Sequence, residues 1–299
     1  MINTSLDVSA SPFRCVLDAK AALGECPVWS VAEQVLYWVD INAPALHRFD
    51  PSTGENRPMS MPESIGCFGL RARGGFVVAL RGGLWFARQD GTLGTKIADA
   101  PYDETTHRFN DGRCDRQGRF FAGYMNEKRD ANSAALLRLD VDGRMTSVLD
   151  DMMISNGLGF SPDGQTMYHA DTPTHTIHAY DFDMRSGTPS NKRVLAAFKN
   201  ETDRPDGAAV DSEGCYWTAF YRGGKVLRLS PAGEVLATFA VPAMCPTMCA
   251  FGGADLKTLY VTTARQARPD DELARLPYSG GVFAMPVAVP GLPEPMFAG

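Results

Sequence analysis

A unit of four to five dozen residues recurs along this 299-residue chain. Aligned on Tyr37, Val77, Phe121, Tyr168, Trp217 and Tyr260, its steps are 40, 44, 47, 49 and 43 residues. Each unit carries a short apolar and aromatic run: Leu36 to Asp40, Phe76 to Leu80, Phe120 to Tyr124, Met167 to Asp171, Tyr216 to Phe220 and Leu259 to Thr263. A tight-turn signal with a glycine usually precedes the run, as in Asp115-Arg116-Gln117-Gly118, Ser161-Pro162-Asp163-Gly164 and Asp211-Ser212-Glu213-Gly214. An alternating stretch such as Ala45 to Asp50, Ala135 to Asp140, Thr176 to Asp181 or Val226 to Ser230 follows it, in the period-two pattern of a half-buried strand. A unit of this size holding about four strands is the signature of a propeller blade.

The expected fold is therefore all-β, a six-bladed β-propeller. One blade cannot bury both its faces, so six must pack radially and the ring must close. Closure is expected from pairing of the N- and C-terminal strands, Phe13 to Leu17 with Gly281 to Val287, which removes an open edge. The chain then forms one domain over residues 1–299, with residues 1 to about 12 as a loosely ordered arm. The competing architecture, a two-sheet sandwich, has no need of a regular repeat. Glycine (29) and proline (20) are spread along the chain as turns between short strands require, and the one helix to expect is a turn or two at Asp270 to Leu276, between Pro269 and Pro277.

Charge and cysteine usage exclude several functions. With 29 Lys and Arg against 35 Asp and Glu and no basic block, the chain lacks the electrostatic footprint of a nucleic-acid binder. No apolar run reaches the ~18 to 20 residues of a membrane helix, and no basic segment leads into an apolar one at the start, so neither membrane nor export is expected and the location is read as cytoplasmic. The seven cysteines, Cys15, Cys26, Cys67, Cys114, Cys215, Cys245 and Cys249, are scattered without a CxxC pair, as reduced thiols are. A closed ring of blades is expected to be a monomer.

Equivalent positions of successive blades form a ring around a propeller's channel. Eleven or twelve residues before the aligned positions stand Glu25, Asn110, Asn156 and Asp206, while the other two units offer Ile65-Gly66 and Met248-Cys249. Read singly, Asn156-Gly157 and Asp206-Gly207 are hairpin dipeptides. The set argues otherwise, because Glu25 is followed by Cys26-Pro27 and has no turn preference of its own. Two carboxylates and two amides converging on one arc make an all-oxygen site of the kind hard divalent cations prefer. Calcium is the expected ion, with manganese, magnesium, ferrous iron or zinc as alternatives.

Gly24-Glu25-Cys26-Pro27-Val28-Trp29, Leu36 to Ile41, Arg108-Phe109-Asn110-Asp111-Gly112, Ile154-Ser155-Asn156-Gly157-Leu158, Ser161-Pro162-Asp163-Gly164, Pro205-Asp206-Gly207 and Phe251 to Leu256 together resemble the gluconolactonase, regucalcin and senescence-marker-protein family of six-bladed propellers. Asn191-Lys192-Arg193 and Gly280-Gly281-Val282-Phe283 are similar to its bacterial sugar lactonases. The resemblance implies a divalent metal on Glu25, Asn156 and Asp206, and substrate contacts from Arg108 and Asn110. Some members carry a further glutamate on the sugar hydroxyls. In this chain the region reads Asn126-Glu127-Lys128, which makes Glu127 the stand-in.

The implied substrate is a small sugar lactone, an aldono-1,4- or 1,5-lactone opened to its aldonic acid in sugar catabolism. Hydrolysis needs the carbonyl oxygen polarised and a water deprotonated, the first suited to a cation and the second to Asp206 as ligand and general base. Of the five histidines only His107, beside Arg108, is kept as a candidate substrate contact, and Trp29, Trp38, Trp85 and Trp217 are read as packing between blades. The signatures GxSxG, HExxH and the phosphate-binding loop are missing, which removes the usual signals of serine hydrolases, zinc proteases and nucleotide enzymes. The rivals are a non-catalytic calcium-binding or scaffold propeller and a different ester or phosphotriester hydrolase on the same fold.

Overall fold

The computed structural model describes residues 10–299. Among the described residues twenty-four strands form six four-stranded antiparallel sheets. Five of them follow the chain: blade 1 spans Gly24 to Ser60, blade 2 Ile65 to Asp99, blade 3 His107 to Met152, blade 4 Ser155 to Ala197 and blade 5 Arg204 to Ala240. The sixth blade is built from both ends of the chain: the inner strands Pro246–Gly252, Thr258–Thr263 and Val282–Pro286 are completed by Arg14–Leu17, with Arg14 opposite Ala284 and Cys15 opposite Phe283. The expected closure is thus the observed one. Of the arm expected over residues 1 to about 12, residues 1–9 lie outside the described residues, and the Ser11 hydroxyl donates to Ala240 O of blade 5 at 2.6 Å.

The apolar runs seen in the sequence are the second strands of the blades, Val35–Asp40, Phe76–Leu80, Phe120–Asn126, Thr166–Asp171, Tyr216–Tyr221 and Thr258–Thr263. Their burial follows from position. Val35–Asp40 is buried throughout because neighbouring blades cover both faces, whereas the outermost strand Glu55–Ser60 is mostly exposed and polar. Aromatic rings fill the wedges between blades: Tyr37 meets Phe76 edge-on at 5.1 Å, Phe121 meets Phe160 at 5.5 Å, and Trp29 stacks on Tyr260 at 5.6 Å. The helix is Asp270–Arg275, one of the two ends agreeing with the expectation to the residue and the other one residue shorter.

The glycine turns join the first two strands of a blade at one end of the channel. Gly118, Gly164 and Gly214 donate to Asp115 O, Ser161 O and Asp211 O at 3.0, 2.8 and 3.0 Å. Inner strands therefore start at the opposite end, where their first residues and the loops after the second strands face one another. Residues 288–299 cross the glycine-turn end: Ser212 N donates to Pro290 O at 2.9 Å, Gly291 N to Leu256 O at 2.9 Å, Phe297 N to Leu70 O at 2.8 Å and Ala298 N to Gly118 O at 2.9 Å. Glu294, on this segment, pairs with Arg113 Nε of blade 3 at 3.0 Å.

Candidate functional site

Each inner strand carries a β-bulge near its start. The register shifts between Glu25 and Val28, Ile65 and Cys67, Phe109 and Gly112, Asn156 and Gly159, Pro205 and Ala208, and Pro246 and Met248. The Asn-Gly and Asp-Gly dipeptides that read singly as hairpin turns are these bulges. The extra residue re-aims a side chain, and here it turns Glu25, Asn110, Asn156 and Asp206 into one cavity at the start of the inner strands. The cavity encloses about 280 Å³, and the four polar residues lie buried in its wall. Gly157 makes the blade 4 bulge with φ +62°, and a Cβ there would stand 2.4 Å from Tyr216 Oη. Blade 1 makes the same bend with Cys26 at φ +45°. The equivalent residues of the other two blades, Ile65, Gly66, Met248 and Cys249, are buried away from the cavity, so the arc is polar on one side only.

A chain of hydrogen bonds fixes the amides. Arg108 Nη1 donates to Asn110 Oδ1 at 2.8 Å, so the Asn110 amide group faces the other way and donates to Ser155 O at 3.0 Å and Asn156 Oδ1 at 2.7 Å. Asn156 Nδ2 in turn donates to Thr172 Oγ1 at 2.7 Å, and that hydroxyl donates to Pro205 O at 2.7 Å. A guanidinium can only donate and a peptide carbonyl can only accept, so the two ends set every orientation between them. Asn156 Oδ1 is therefore the acceptor for Asn110 and keeps a second lone pair, in the same cavity wall as Glu25 and Asp206.

Glu25 and Asp206 are the acidic side. Among the described residues neither forms a salt bridge, and Glu25 Oε2 accepts only the neighbouring Cys26 N–H at 3.2 Å. Burial, then the negative charge of Asp111, pushes the Glu25 carboxyl up to about 8. Burial, then repulsion from Glu25 and Asp111, pushes Asp206 well above the carboxylate range. Asp111, adjacent to Asn110 but on the far side of the bulge, accepts Leu158 N–H through Oδ2 at 3.0 Å and leaves buried Oδ1 without a partner.

Two expected contacts lie elsewhere. Glu127 accepts two hydrogen bonds from Arg81, at 2.7 and 3.1 Å, and stands 3.5 Å from Arg108 Nε, outside the cavity wall. It clamps Arg108 from behind. His107 is hydrogen-bonded to Thr106 Oγ1 at 2.8 Å and Ser133 Oγ at 2.9 Å and is also outside the wall. No tryptophan lines the cavity: Trp29 and Trp217 pack between blades, Trp38 stacks on His47 within blade 1 at 3.9 Å, and Trp85 lies under Lys96.

The wall contains residues that the sequence reading did not select: Arg129, Thr172, His175, Arg204 and Tyr221. All five follow or end second strands or open an inner strand at the cavity end, and that position in the repeat is the signal that could have found them. Burial pushes the Tyr221 phenol up to about 12, which keeps it a hydrogen-bond donor. Among the described residues no group of three or more His, Cys, Asp and Glu side chains could hold a metal. All seven cysteines are free, and no helix among the described residues is long and apolar enough to cross a membrane.

The fold and the cavity define a six-bladed propeller with an acidic, oxygen-lined pocket at one end of its channel. Residues 23–265 match the SMP-30/Gluconolactonase/LRE-like region, and the chain belongs to that family. It is 51% identical over 287 residues to the 6-deoxy-6-sulfogluconolactonase of Pseudomonas putida, covering 96% of this chain and 98% of that one. It is 35% identical over 299 residues to regucalcin of Xenopus laevis, covering 98% and 100%. The crystal structure of a calcium-binding protein, regucalcin, from Agrobacterium tumefaciens superposes with a TM-score of 0.91 at 28% identity over 95% of this chain and 96% of that one.

Proposed function

We propose that this protein is a sugar lactonase that opens an aldonolactone with the help of one divalent cation held by Glu25, Asn156 and Asp206. Its class is that of the lactone hydrolases, which cleave a carboxylic ester bond. The observation that carries the proposal is the pair of buried carboxylates, without a salt bridge and mutually repelling, in one cavity with an amide whose orientation is fixed. A cation would relieve that repulsion. The donors are all hard oxygens, which favours calcium, magnesium or manganese over an ion that prefers thiolate or imidazole. When bound, such an ion supplies Lewis-acid polarisation of the lactone carbonyl.

The remaining steps belong to the chain. Arg108, locked to Asn110 and backed by Glu127, presents its Nη2 edge as a fixed donor to a ring hydroxyl, while Asn110, with both N–H groups engaged, offers the second lone pair of Oδ1 as an acceptor. Asp206 takes a proton from the water that attacks the carbonyl carbon. The tetrahedral adduct collapses by breaking the bond to the ring oxygen, and that oxygen takes the proton from Asp206 as it leaves. The aldonic acid then ionises, so each turnover releases one proton. Tyr221 offers a neutral donor at the cavity wall. The substrates proposed are aldono-1,4- or 1,5-lactones, and the name of the Pseudomonas putida relative adds lactones with an acidic group to that class.

Proton release from a panel of glucono-, galactono-, xylono- and arabinolactones, corrected for spontaneous opening, tests the reading. Turnover lost on chelation, restored by metal and reduced about 10²- to 10⁴-fold in Asp206→Ala is the expected result. No rate above background on any lactone with metal present would overturn it and leave a metal-binding regulatory propeller.

A further inference from the structure

The cavity is asymmetric in charge. Its floor holds the buried carboxylates Glu25 and Asp206, and its rim holds the exposed Arg129 and the half-buried Arg204 and His175. Among the described residues neither arginine forms a salt bridge, although acidic side chains lie close in sequence to both. The two adjacent acids are engaged elsewhere: Asp130 accepts Asn126 Nδ2 at 2.8 Å, and Asp203 pairs with Lys225 at 2.6 Å, while Glu201 meets Arg204 only through its backbone carbonyl.

The rim groups are also held in place. Arg129 takes φ +56°, a left-handed conformation that residues other than glycine rarely adopt. Buried Asn126 stabilises that bend: its Oδ1 accepts the N–H groups of Lys128 and Arg129 at 2.9 and 3.2 Å, and its Nδ2 reaches Ala131 O and Ser133 Oγ at 3.2 and 3.1 Å. His175 is left-handed too, at φ +54°. Its Nδ1 lies 2.9 Å from Asp203 O, an acceptor, so Nδ1 carries the proton and Nε2 is left free. Arg204 donates Nε to Glu201 O at 3.0 Å, which leaves the outer edge of its guanidinium unbonded. Backbone strain of this kind persists where the surroundings enforce it and gathers at binding sites.

We infer that Arg129 and Arg204 form an anion subsite at the cavity rim, with His175 beside them, and that the preferred substrate is a lactone bearing a sulfonate, phosphate or carboxylate at the end remote from the scissile ester. The inference rests on the lactonase reading above for the word lactone, and on the rim alone for the anion. With the floor carboxylates compensated by a cation, the rim arginines stay uncompensated by any acid of the chain. A ligand that spans the cavity with its ester at the floor brings its far end to them. Two fork-shaped donors suit a three-oxygen sulfonate or phosphate and a two-oxygen carboxylate alike.

The test compares uncharged gluconolactone with its C6-sulfonated, C6-phosphorylated and C6-carboxylated counterparts in the wild type, Arg129→Gln, Arg204→Gln and the double variant. At least one charged lactone is expected to exceed the uncharged one in kcat/KM by about tenfold or more, and that ratio to fall toward one in the double variant. Arg129→Lys should keep part of the ratio, because the charge survives without the fork, and the three charged arms identify which anion fits. A ratio near or below one in the wild type, or unchanged in the double variant, overturns the subsite. Calorimetric binding of the C6-sulfonated aldonate against plain aldonate separates this from the lactonase reading. If no lactone is turned over, tighter binding of the sulfonated acid that disappears in the double variant still supports the subsite, and equal binding of both acids overturns it.

Discussion

His169, 2% exposed at the inner part of blade 4, lies with Nε2 2.8 Å from the hydroxyl of Ser155, the residue that also accepts the Asn110 amide through its carbonyl. Burial holds its imidazole down to about 3, against an ordinary value near 6.5. Between those values the unfolded chain binds the proton and the folded one does not, so stability is complete above pH 6.5 and falls as pH drops. By pH 5 His169 alone should cost about 2 kcal/mol. Burial pushes His47, stacked on Trp38, in the same direction, to about 4. Urea unfolding at pH 7 and pH 5 checks this: His169→Gln should shrink the difference by about that amount, and an identical difference in the variant would contradict it. At this scale the polar arc was legible, because Glu25, Asn110, Asn156 and Asp206 recur at one offset from the aligned aromatic positions. Asp111 and Thr172 were not. What makes Asp111 matter is the bulge that throws it to the far side, and what makes Thr172 matter is Pro205, thirty-three residues away and in the next blade.

The element that creates the site is the bulged inner strand. Gly157 is its most constrained residue, with φ +62°, Tyr216 Oη donating to its carbonyl at 2.6 Å and no room for a Cβ. Gly157→Ala is expected to destabilise the protein by about 1–3 kcal/mol through the left-handed backbone and the displaced tyrosine. It should also lower turnover, because Asn156 precedes it. Equilibrium unfolding checks the first and proton release the second; wild-type values for both would show that the bulge tolerates a side chain. Strand positions could be read from the sequence because alternation and glycine turns are local. The bulges could not, since Asn-Gly and Asp-Gly favour a hairpin just as well when only neighbours in sequence are considered. The choice between turn and bulge is made by the adjacent blade: a Cβ on Gly207 would meet the Cβ of Met248 at 2.4 Å, a contact no single blade contains.

On the scale of the whole molecule, six similar blades give a ring whose symmetry is broken on purpose. Four inner strands present oxygen-bearing side chains and two present apolar residues, so the polar lining gathers on one side of the channel. The segment 288–299 ties blades 2, 3, 5 and 6 together at the glycine-turn end and places Glu294 against Arg113, while the cavity lies at the opposite end. Ring number and closure were legible from the repeat, while this strap carried no periodic signal and was not. The account stands on one claim, that Glu25, Asn156 and Asp206 together hold the ion on which lactone opening depends. The most direct test is metal binding by chelator-stripped protein, measured by calorimetry with calcium, magnesium and manganese in parallel with lactone turnover. One equivalent per chain should bind and restore activity in step with occupancy, and Glu25→Ala, Asn156→Ala and Asp206→Ala should each weaken binding about tenfold or more. Full turnover in stripped protein, or unaltered binding in all three variants, would contradict it.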